Sequence, residues 1–221
     1  MFDKKAELYK SALQKYVGKH VFDLIEKNTQ EQLYPQGEIK NLTISFYNIM
    51  NYSLLSTKFS SRLMIEFVNT YYDTVFHNIE SNGGVVLNLN GDEIISIFGY
   101  NDSYHEINAI KSYFNSVKKF NEYLKTIDIR NINFIGAGIN SGEVVIGNFG
   151  TENRLFYSVS GDHVNLAHRL VDSNRLYNTN IIISDFTYQK VNKSILGREL
   201  DIINILGLEE PHKIYEVVSL R

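Results

Sequence analysis

The feature that most constrains the fold is an Asn-Gly pair, Asn90 and Gly91, set between two short apolar runs. In the segment GGVVLNLNGDEIISIFG, β-branched residues flank this pair on both sides, which is the strongest short-range signal for a β-hairpin. A two-residue turn joins antiparallel strands, whereas parallel strands need a long crossover connection. The sequence therefore predicts an antiparallel strand pair and excludes a doubly wound, purely parallel sheet.

Strand and helix patterns alternate along the chain from Asn41 onward. Apolar residues at helical spacing predict three helices, around residues 63–75, 104–124 and 161–175, with Phe67 and Tyr71 on the apolar face of the first. Further strands are predicted at residues 42–47, 179–185 and 211–218, and a strand pair joined at residues 140–142. Asp162 is placed to cap the third helix. The order βαββαββαβ predicts an α+β fold with a central, mostly antiparallel sheet and helices packed on it.

The N-terminal part of the chain differs from the rest, and residues 1–36 are predicted as an amphipathic helix and hinge before a domain at residues 37–221. In ALQKYVGKHVFDLIEKN, an apolar stripe that includes Leu13 and Tyr16 recurs at helical spacing. Such a helix packs on its own domain, pairs with its copy in a dimer, or follows a sensor domain. These alternatives stay open.

Composition narrows the classes of function. The 221 residues carry a net charge of −3 with the signs interspersed, so no nucleic-acid surface is predicted. The chain has no cysteine, which excludes disulfides and thiolate metal sites. No apolar run approaches the roughly 20 residues that span a bilayer, and no signal-peptide core is present. A soluble, cytoplasmic protein is predicted.

Two sets of polar residues stand where packing does not require them. Asp92 follows the predicted hairpin turn, and Asn165 and Arg169 lie four residues apart on one helix face. Aspartate after glycine is common in turns, and the helix pair also fits a solvated face. A paired amide and guanidinium are equally able to hold a ribose and a phosphoryl group. His163 and His168 are predicted as surface or interface residues rather than metal ligands.

Taken together, these segments resemble the class III adenylate/guanylate (nucleotidyl) cyclase catalytic domains over nearly the whole chain. The most specific segment is GAGINSGEVVIGNFGTENRLFYSVSGDHVNLAHRL, and GEIKNLTISFYNIMNYS, IESNGGVVLNLNGDEIISIFG and GLEEPHKIYEV are also similar to that family. The resemblance implies a ferredoxin-like cyclase fold and head-to-tail pairing with a second cyclase domain. It also implies conversion of a nucleoside triphosphate to a 3′,5′-cyclic nucleotide and pyrophosphate, with two Mg²⁺ or Mn²⁺ ions.

The resemblance assigns roles to several residues that keep a polar group. Asp92 stands in the second metal position. Asn165 and Arg169 stand where the family orients the ribose and stabilises the phosphoryl charge, from the partner's helix. Asn88 replaces the lysine that reads the base, and Ser158 replaces its polar partner.

Other positions depart from the family in ways that weaken the handling of phosphate. Asn48 stands where the first metal-binding aspartate is expected, followed by Ile49, whose backbone carbonyl is a further metal ligand in this scheme. Asparagine brings an oxygen dipole to Mg²⁺ but no charge. Leu206 replaces the phosphate-binding lysine, and Asn51 replaces a glycine of the phosphate-facing loop.

Three hypotheses on function follow from this mixture of kept and lost residues. The chain is an active homodimeric cyclase of unusual base preference, or a cyclase-fold pseudoenzyme that dimerises or senses a nucleotide. Alternatively it is half of a heterodimer and supplies Asn165 and Arg169 to a partner that brings both aspartates. The losses favour weak or absent activity for a lone homodimer.

Overall fold

A computed structural model describes residues 2–27, 33–100, 102–130, 132–204 and 211–221. By internal contacts the chain divides into two units, Met1–Ile39 with Val145–Val159, and Lys40–Val144 with Ser160–Arg221. The helices are α1 (Phe2–Val17), α2 (Lys19–Lys27), α3 (Tyr52–Lys58), α4 (Ser61–Ser81), α5 (His105–Thr126), α6 (Asp162–Tyr177) and α7 (Asp185–Val191). The strands are β1 (Gln36–Ile49), β2 (Val85–Asn90), β3 (Glu93–Phe98), β4 (Ile135–Thr151), β5 (Arg154–Ser160), β6 (Ile181–Ser184), β7 (Ile195–Ile203) and β8 (His212–Leu220).

Gly18 separates the two helices of the first unit. Its φ of +81° lies in the left-handed region that favours glycine, so the helix predicted as continuous is broken there. Helices α1 and α2 contact each other through Lys10, which pairs with Glu26 and lies 5.5 Å from the ring centroid of Phe22. The N-terminal end of the predicted apolar stripe is exposed, with Tyr16 at 91%, whereas the rest of the stripe, from Val17 to Ile25, is partly buried.

The strands of the described residues form one sheet in the order β2-β3-β1-β4-β6-β8-β7, with β5 paired to β4. The pairs β2–β3, β1–β3, β6–β8 and β7–β8 are antiparallel, and β4–β6 is parallel. The predicted mostly antiparallel sheet is therefore confirmed. The predicted hairpin is also present, but its two-residue turn is Gly91 and Asp92, one residue later than predicted, with Asn90 opposite Glu93 and Gly91 at a φ of +65°.

Helices cover both faces of the sheet in the second unit. Strand β6 shows this directly, because successive side chains of a strand point to opposite faces. Ile181 and Ile183 join a buried cluster with α4 and α5, whereas Ile182 packs with Leu166 and Leu170 of α6. Helix α6 thus lies on the opposite face from α4 and α5.

Two local predictions are wrong. The segment predicted as a strand pair is one continuous strand, β4, without a turn at residues 140–142. Its glycines serve close packing instead, because a Cβ on Gly138 would lie 2.2 Å from the backbone nitrogen of Val171 in α6. Asp162 does not cap α6, because it already lies in the first helical turn and Gly161 takes the cap position. No helix in the described part of the chain has the length and apolar character needed to cross a bilayer.

Candidate functional site

Strands β1 and β3 place the predicted metal positions side by side. The register sets Asn48 opposite Glu93, and the backbone N–H of Ile49 donates to the carbonyl oxygen of Asp92 at 3.1 Å. Asn48 and Asp92 are both half-buried. The two residues that the resemblance assigns to metal binding are therefore neighbours, Asn48 on β1 and Asp92 in the turn before β3.

The amide of Asn48 has an unused oxygen. Its Oδ1 is buried and has no hydrogen-bond partner among the residues the structure describes. It lies against β4, since a Cβ added to Gly136 would be 2.3 Å away. Leaving a buried acceptor without a partner costs about 1–3 kcal/mol. The arrangement therefore retains an available oxygen at the position of the missing carboxylate.

Two tyrosines of α4 support the turn that carries Asp92. The Tyr72 hydroxyl donates to the carbonyl oxygen of Gly91 at 2.5 Å. Tyr71 is fully buried, and burial together with the negative charge of Asp92 raises its pKa well above its usual value. Helical spacing predicted Tyr71 as a core residue, but no local signal indicated that Tyr72 reaches the hairpin turn.

A contact between a glutamate and a histidine lies next to the predicted metal positions and was not predicted. Glu93 Oε2 lies 3.1 Å from Nε2 of His168 in α6, and the His168 ring packs edge-on against Phe46 at a centroid distance of 5.0 Å. Burial raises the pKa of Glu93, and the neighbouring His168 opposes that shift. The Glu93 carboxylate is therefore engaged by α6 in this structure.

Asn165 and Arg169 lie on the exposed face of α6. Packing decides this orientation, because Leu166, Ala167 and Leu170 fill the buried face. Neither Asn165 nor Arg169 makes a side-chain hydrogen bond or ion pair within the described ranges of the chain. Their spacing of four residues puts both on one side of the helix. They are therefore presented outward as a pair.

The remaining predicted site residues lie at separate places. Asn88 is exposed on the edge strand β2, next to a break in its register with β3. Ser158 is half-buried in β5, within the first unit. Leu206 lies outside the described residues. Asn51 precedes α3 with a φ of 60°, the left-handed conformation that glycine adopts most readily and asparagine tolerates better than most residues.

The donor atoms decide how well this site fits divalent cations. Within the residues described, no group of three or more His, Cys, Asp or Glu side chains is placed to hold a metal. The oxygens of Asp92, Asn48 and Ile49 suit hard cations such as Mg²⁺ or Mn²⁺. Only the Asp92 carboxylate among them is an acid, since the Asn48 amide and the Ile49 carbonyl are neutral, and the nearby Glu93 contacts His168 instead. This set fits one weakly held cation and does not fit two.

Comparisons with known proteins point to one family. Residues 34–218 match the family described as the adenylate and guanylate cyclase catalytic domain. The chain is 31% identical over 227 residues to a terminal-differentiation-specific adenylate cyclase of Dictyostelium discoideum. That alignment covers 98% of this chain but 10% of the relative, so this chain spans about a tenth of that protein's length.

Solved structures agree with the family match. The adenylyl cyclase CyaB from P. aeruginosa superposes with a TM-score of 0.74 at 26% identity, covering 85% of this chain and 98% of that one. The guanylate cyclase domain of RhGC from Catenaria anguillulae, solved in complex with GTP, superposes with a TM-score of 0.67. The comparison with RhGC is at 22% identity over 83% of this chain and 100% of that one, so it supports a shared fold only.

Proposed function

Because the chain belongs to the adenylate and guanylate cyclase catalytic domain family, we propose that it binds a nucleoside triphosphate but turns it over slowly as a homodimer. The observation that carries this proposal is Asn48, an uncharged amide on the strand next to Asp92. The product of the reaction is a 3′,5′-cyclic nucleotide for signalling, formed in the cytoplasm. The cyclase domain occupies residues 37–221 with residues 1–36 as a separate segment, a division supported by the family match from residue 34.

Two copies pair so that α6 of one faces the nucleotide held by the other. The exposure of Asn165 and Arg169 supports this arrangement. Neither side chain has a hydrogen-bond or ion-pair partner in the described chain, so both are available to a second copy. Asn165 orients the ribose, and the Arg169 guanidinium offers paired donors to the phosphoryl oxygens. Asn88 contacts the base, and its amide accepts as well as donates hydrogen bonds.

Asp92, Asn48 and the Ile49 carbonyl would hold one Mg²⁺ or Mn²⁺ ion. When bound, a cation of this kind neutralises phosphate charge and favours deprotonation of the ribose 3′-hydroxyl. Asn48 offers its buried oxygen to such an ion but no charge. Losing one preorganised charge-stabilising contact typically costs about 3–4 kcal/mol of barrier, or roughly 10²–10³ in rate. The homodimer is therefore expected to be slow rather than unable to bind.

The test is incubation of the purified chain with each of the four ribonucleoside triphosphates and Mn²⁺ or Mg²⁺. Cyclic products are read by mass spectrometry, and binding is measured in parallel by calorimetry. Binding with a trace of product is expected, and Asp92→Ala is expected to abolish the product. Asn48→Asp is expected to raise turnover roughly 10²–10³-fold.

Asn192→Asp is the matched control, because it introduces the same charge at an exposed position after α7. It should leave turnover unchanged. A folded, dimeric protein that binds none of the four triphosphates would refute the proposal. Binding without turnover even in Asn48→Asp would instead assign the chain as a nucleotide-sensing pseudoenzyme.

A second candidate is the helix-donating half of a heterodimer. It is favoured by the contrast between an intact, outward-facing Asn165 and Arg169 pair and a metal position that lacks its acid. The test mixes this chain with a cyclase domain that has both aspartates but whose own helix arginine is changed to alanine. Restored cyclase activity that disappears with Arg169→Ala in this chain would support the heterodimer. No activity in the mixture would exclude it.

A further inference from the structure

Two buried side-chain atoms of the second unit lack a hydrogen-bond partner among its described residues, the Oδ1 of Asn48 and the hydroxyl of Tyr71. Buried polar groups are nearly always hydrogen-bonded, so each exception needs an explanation. The proposed cation already accounts for the Asn48 oxygen. It does not account for the Tyr71 hydroxyl, because a phenylalanine would fill the same space without burying an unmatched donor.

Tyr71 lies beside the turn that carries Asp92. Its side chain is fully buried, in a cluster that also contains Ile49, and the backbone N–H of Ile49 donates to the carbonyl oxygen of Asp92 at 3.1 Å. The ring centroid of Tyr71 is 5.8 Å from that of Tyr72, whose hydroxyl donates to the carbonyl oxygen of Gly91 in the same turn. Tyr71 is therefore packed next to the hairpin turn, on the side of α4.

The Asp92 carboxylate is chemically complementary to this hydroxyl. It is half-buried and makes no side-chain hydrogen bond or ion pair within the described ranges of the chain. Burial raises the pKa of the Tyr71 hydroxyl, and the Asp92 charge adds more to that rise than any other neighbouring group. An ionised carboxylate only accepts hydrogen bonds, so a bond between the two groups has one direction and is charge-assisted.

We propose that Tyr71 is a positioning residue for Asp92, and that its hydroxyl donates to the carboxylate when Asp92 holds a divalent cation. Asp92 lies in the two-residue turn between β2 and β3, and no hydrogen bond in the described structure opposes rotation of its side chain. A carboxylate has two oxygens, so one is able to serve a cation while the other accepts from Tyr71. This inference rests on the cation site of the proposed function.

The two neighbouring tyrosines of α4 then have separable roles. The Tyr72 hydroxyl is already bonded to Gly91 in the folded protein, so it contributes to stability. The Tyr71 hydroxyl has no such bond, so it contributes to cation binding and not to stability. Residues that hydrogen-bond to metal ligands orient those ligands, and their loss typically weakens metal binding about 10- to 100-fold.

The test is a titration of the purified full chain with Mn²⁺, without nucleotide, read from the electron paramagnetic resonance signal of the free ion. Tyr71→Phe is expected to weaken Mn²⁺ binding about 10- to 100-fold. Its urea midpoint should stay the same or rise, because a buried donor without a partner is removed. Mn²⁺ should also shift tyrosine absorption to longer wavelength in the unmodified protein, and this shift should be absent from Tyr71→Phe.

Tyr113→Phe is the matched control. Tyr113 is a buried tyrosine of the same cluster, but the Asn133 amide donates to its hydroxyl at 2.9 Å. The opposite pattern is therefore expected. The urea midpoint should fall because an existing hydrogen bond is lost, whereas Mn²⁺ binding and the absorption shift should not change.

Each possible failure has a distinct meaning. Equal Mn²⁺ affinity in Tyr71→Phe and the unmodified chain would overturn the role of Tyr71, and so would an equal loss of affinity in Tyr113→Phe. A lower urea midpoint in Tyr71→Phe would overturn it too, because the hydroxyl would then have a partner in the folded protein. If Asp92→Ala loses Mn²⁺ binding and Tyr71→Phe keeps it, the cation site stands without Tyr71. An unmodified chain that binds no Mn²⁺ would remove both, whereas triphosphate binding is measured separately.

Discussion

The close packing of α6 on β4 predicts that Gly138→Ala destabilises the protein strongly. A Cβ at Gly138 would lie 2.2 Å from the nitrogen of Val171 and 2.4 Å from the oxygen of Ala167. These are backbone atoms, so α6 has to move away from β4 by roughly 1 Å to reach an ordinary contact distance. A gap of that size loses about a quarter to a half of the dispersion energy between the two elements. Overpacking alone costs about 1–3 kcal/mol.

The retreat of α6 also loosens the buried Leu166 and Leu170, each worth about 1.5–3 kcal/mol when fully buried. A total loss of about 3 kcal/mol is expected, a large part of the roughly 5–15 kcal/mol that stabilises a typical domain. Urea unfolding followed by circular dichroism measures it, and with a slope near 3 kcal/mol/M the midpoint should fall by about 1 M.

Gly136→Ala, two residues earlier in β4, is the matched comparison. Its added Cβ would meet the side chains of Asn48 and Met50 rather than backbone, and side chains are able to move aside. A smaller loss of stability is therefore expected there, together with weaker Mn²⁺ binding because the Asn48 amide is displaced. A loss below about 1 kcal/mol for Gly138→Ala, or equal losses for the two variants, would refute the packing argument.

Three further predictions follow from the site. Tyr72→Phe removes the hydroxyl bond to the Gly91 carbonyl, so a loss of about 1 kcal/mol in urea unfolding is expected, and an unchanged midpoint would contradict the contact. Burial lowers the pKa of His163, so the unfolded chain binds a proton on this ring more tightly than the folded protein does. The free energy of unfolding should therefore fall as the pH drops through the ordinary histidine range. In His163→Gln this contribution to the pH dependence of stability should disappear. Arg169→Ala should change stability by less than about 0.5 kcal/mol, because the side chain is exposed, yet abolish any cyclase activity; retained turnover would remove its assigned role.

Local sequence signals located most of the sheet and helices. The hairpin at Asn90 and Gly91 is a local event, and the helix spacing that placed Phe67 and Tyr71 inward is confirmed by their burial. Strand β4 was misread because Asn140 and Gly142 are also typical of turns. Asn140 instead donates a hydrogen bond to the carbonyl oxygen of His163, and Gly142 leaves room for the His163 ring. Both roles depend on α6, which is distant in the sequence.

The candidate site was predictable only in part, for the same reason. Asp92 and the helix pair stand out as residue types in a recognisable spacing. The pairing of Glu93 with His168 and the bond from Tyr72 to the hairpin turn join residues from different elements, and nothing in their local patterns indicates them. Whether Glu93 is available to a cation is therefore readable only from the structure.

The amide of Asn48 also has a genetic consequence. Asparagine and aspartate codons differ by one base in the first position, and the two side chains have nearly the same size, so the space against Gly136 admits either. In the described structure the Asn48 oxygen already lacks a hydrogen-bond partner. A carboxylate in its place would bury a formal charge, and a bound cation would offset the desolvation cost of that charge. A single transition at this codon would therefore make the stability of the folded protein depend on a bound cation.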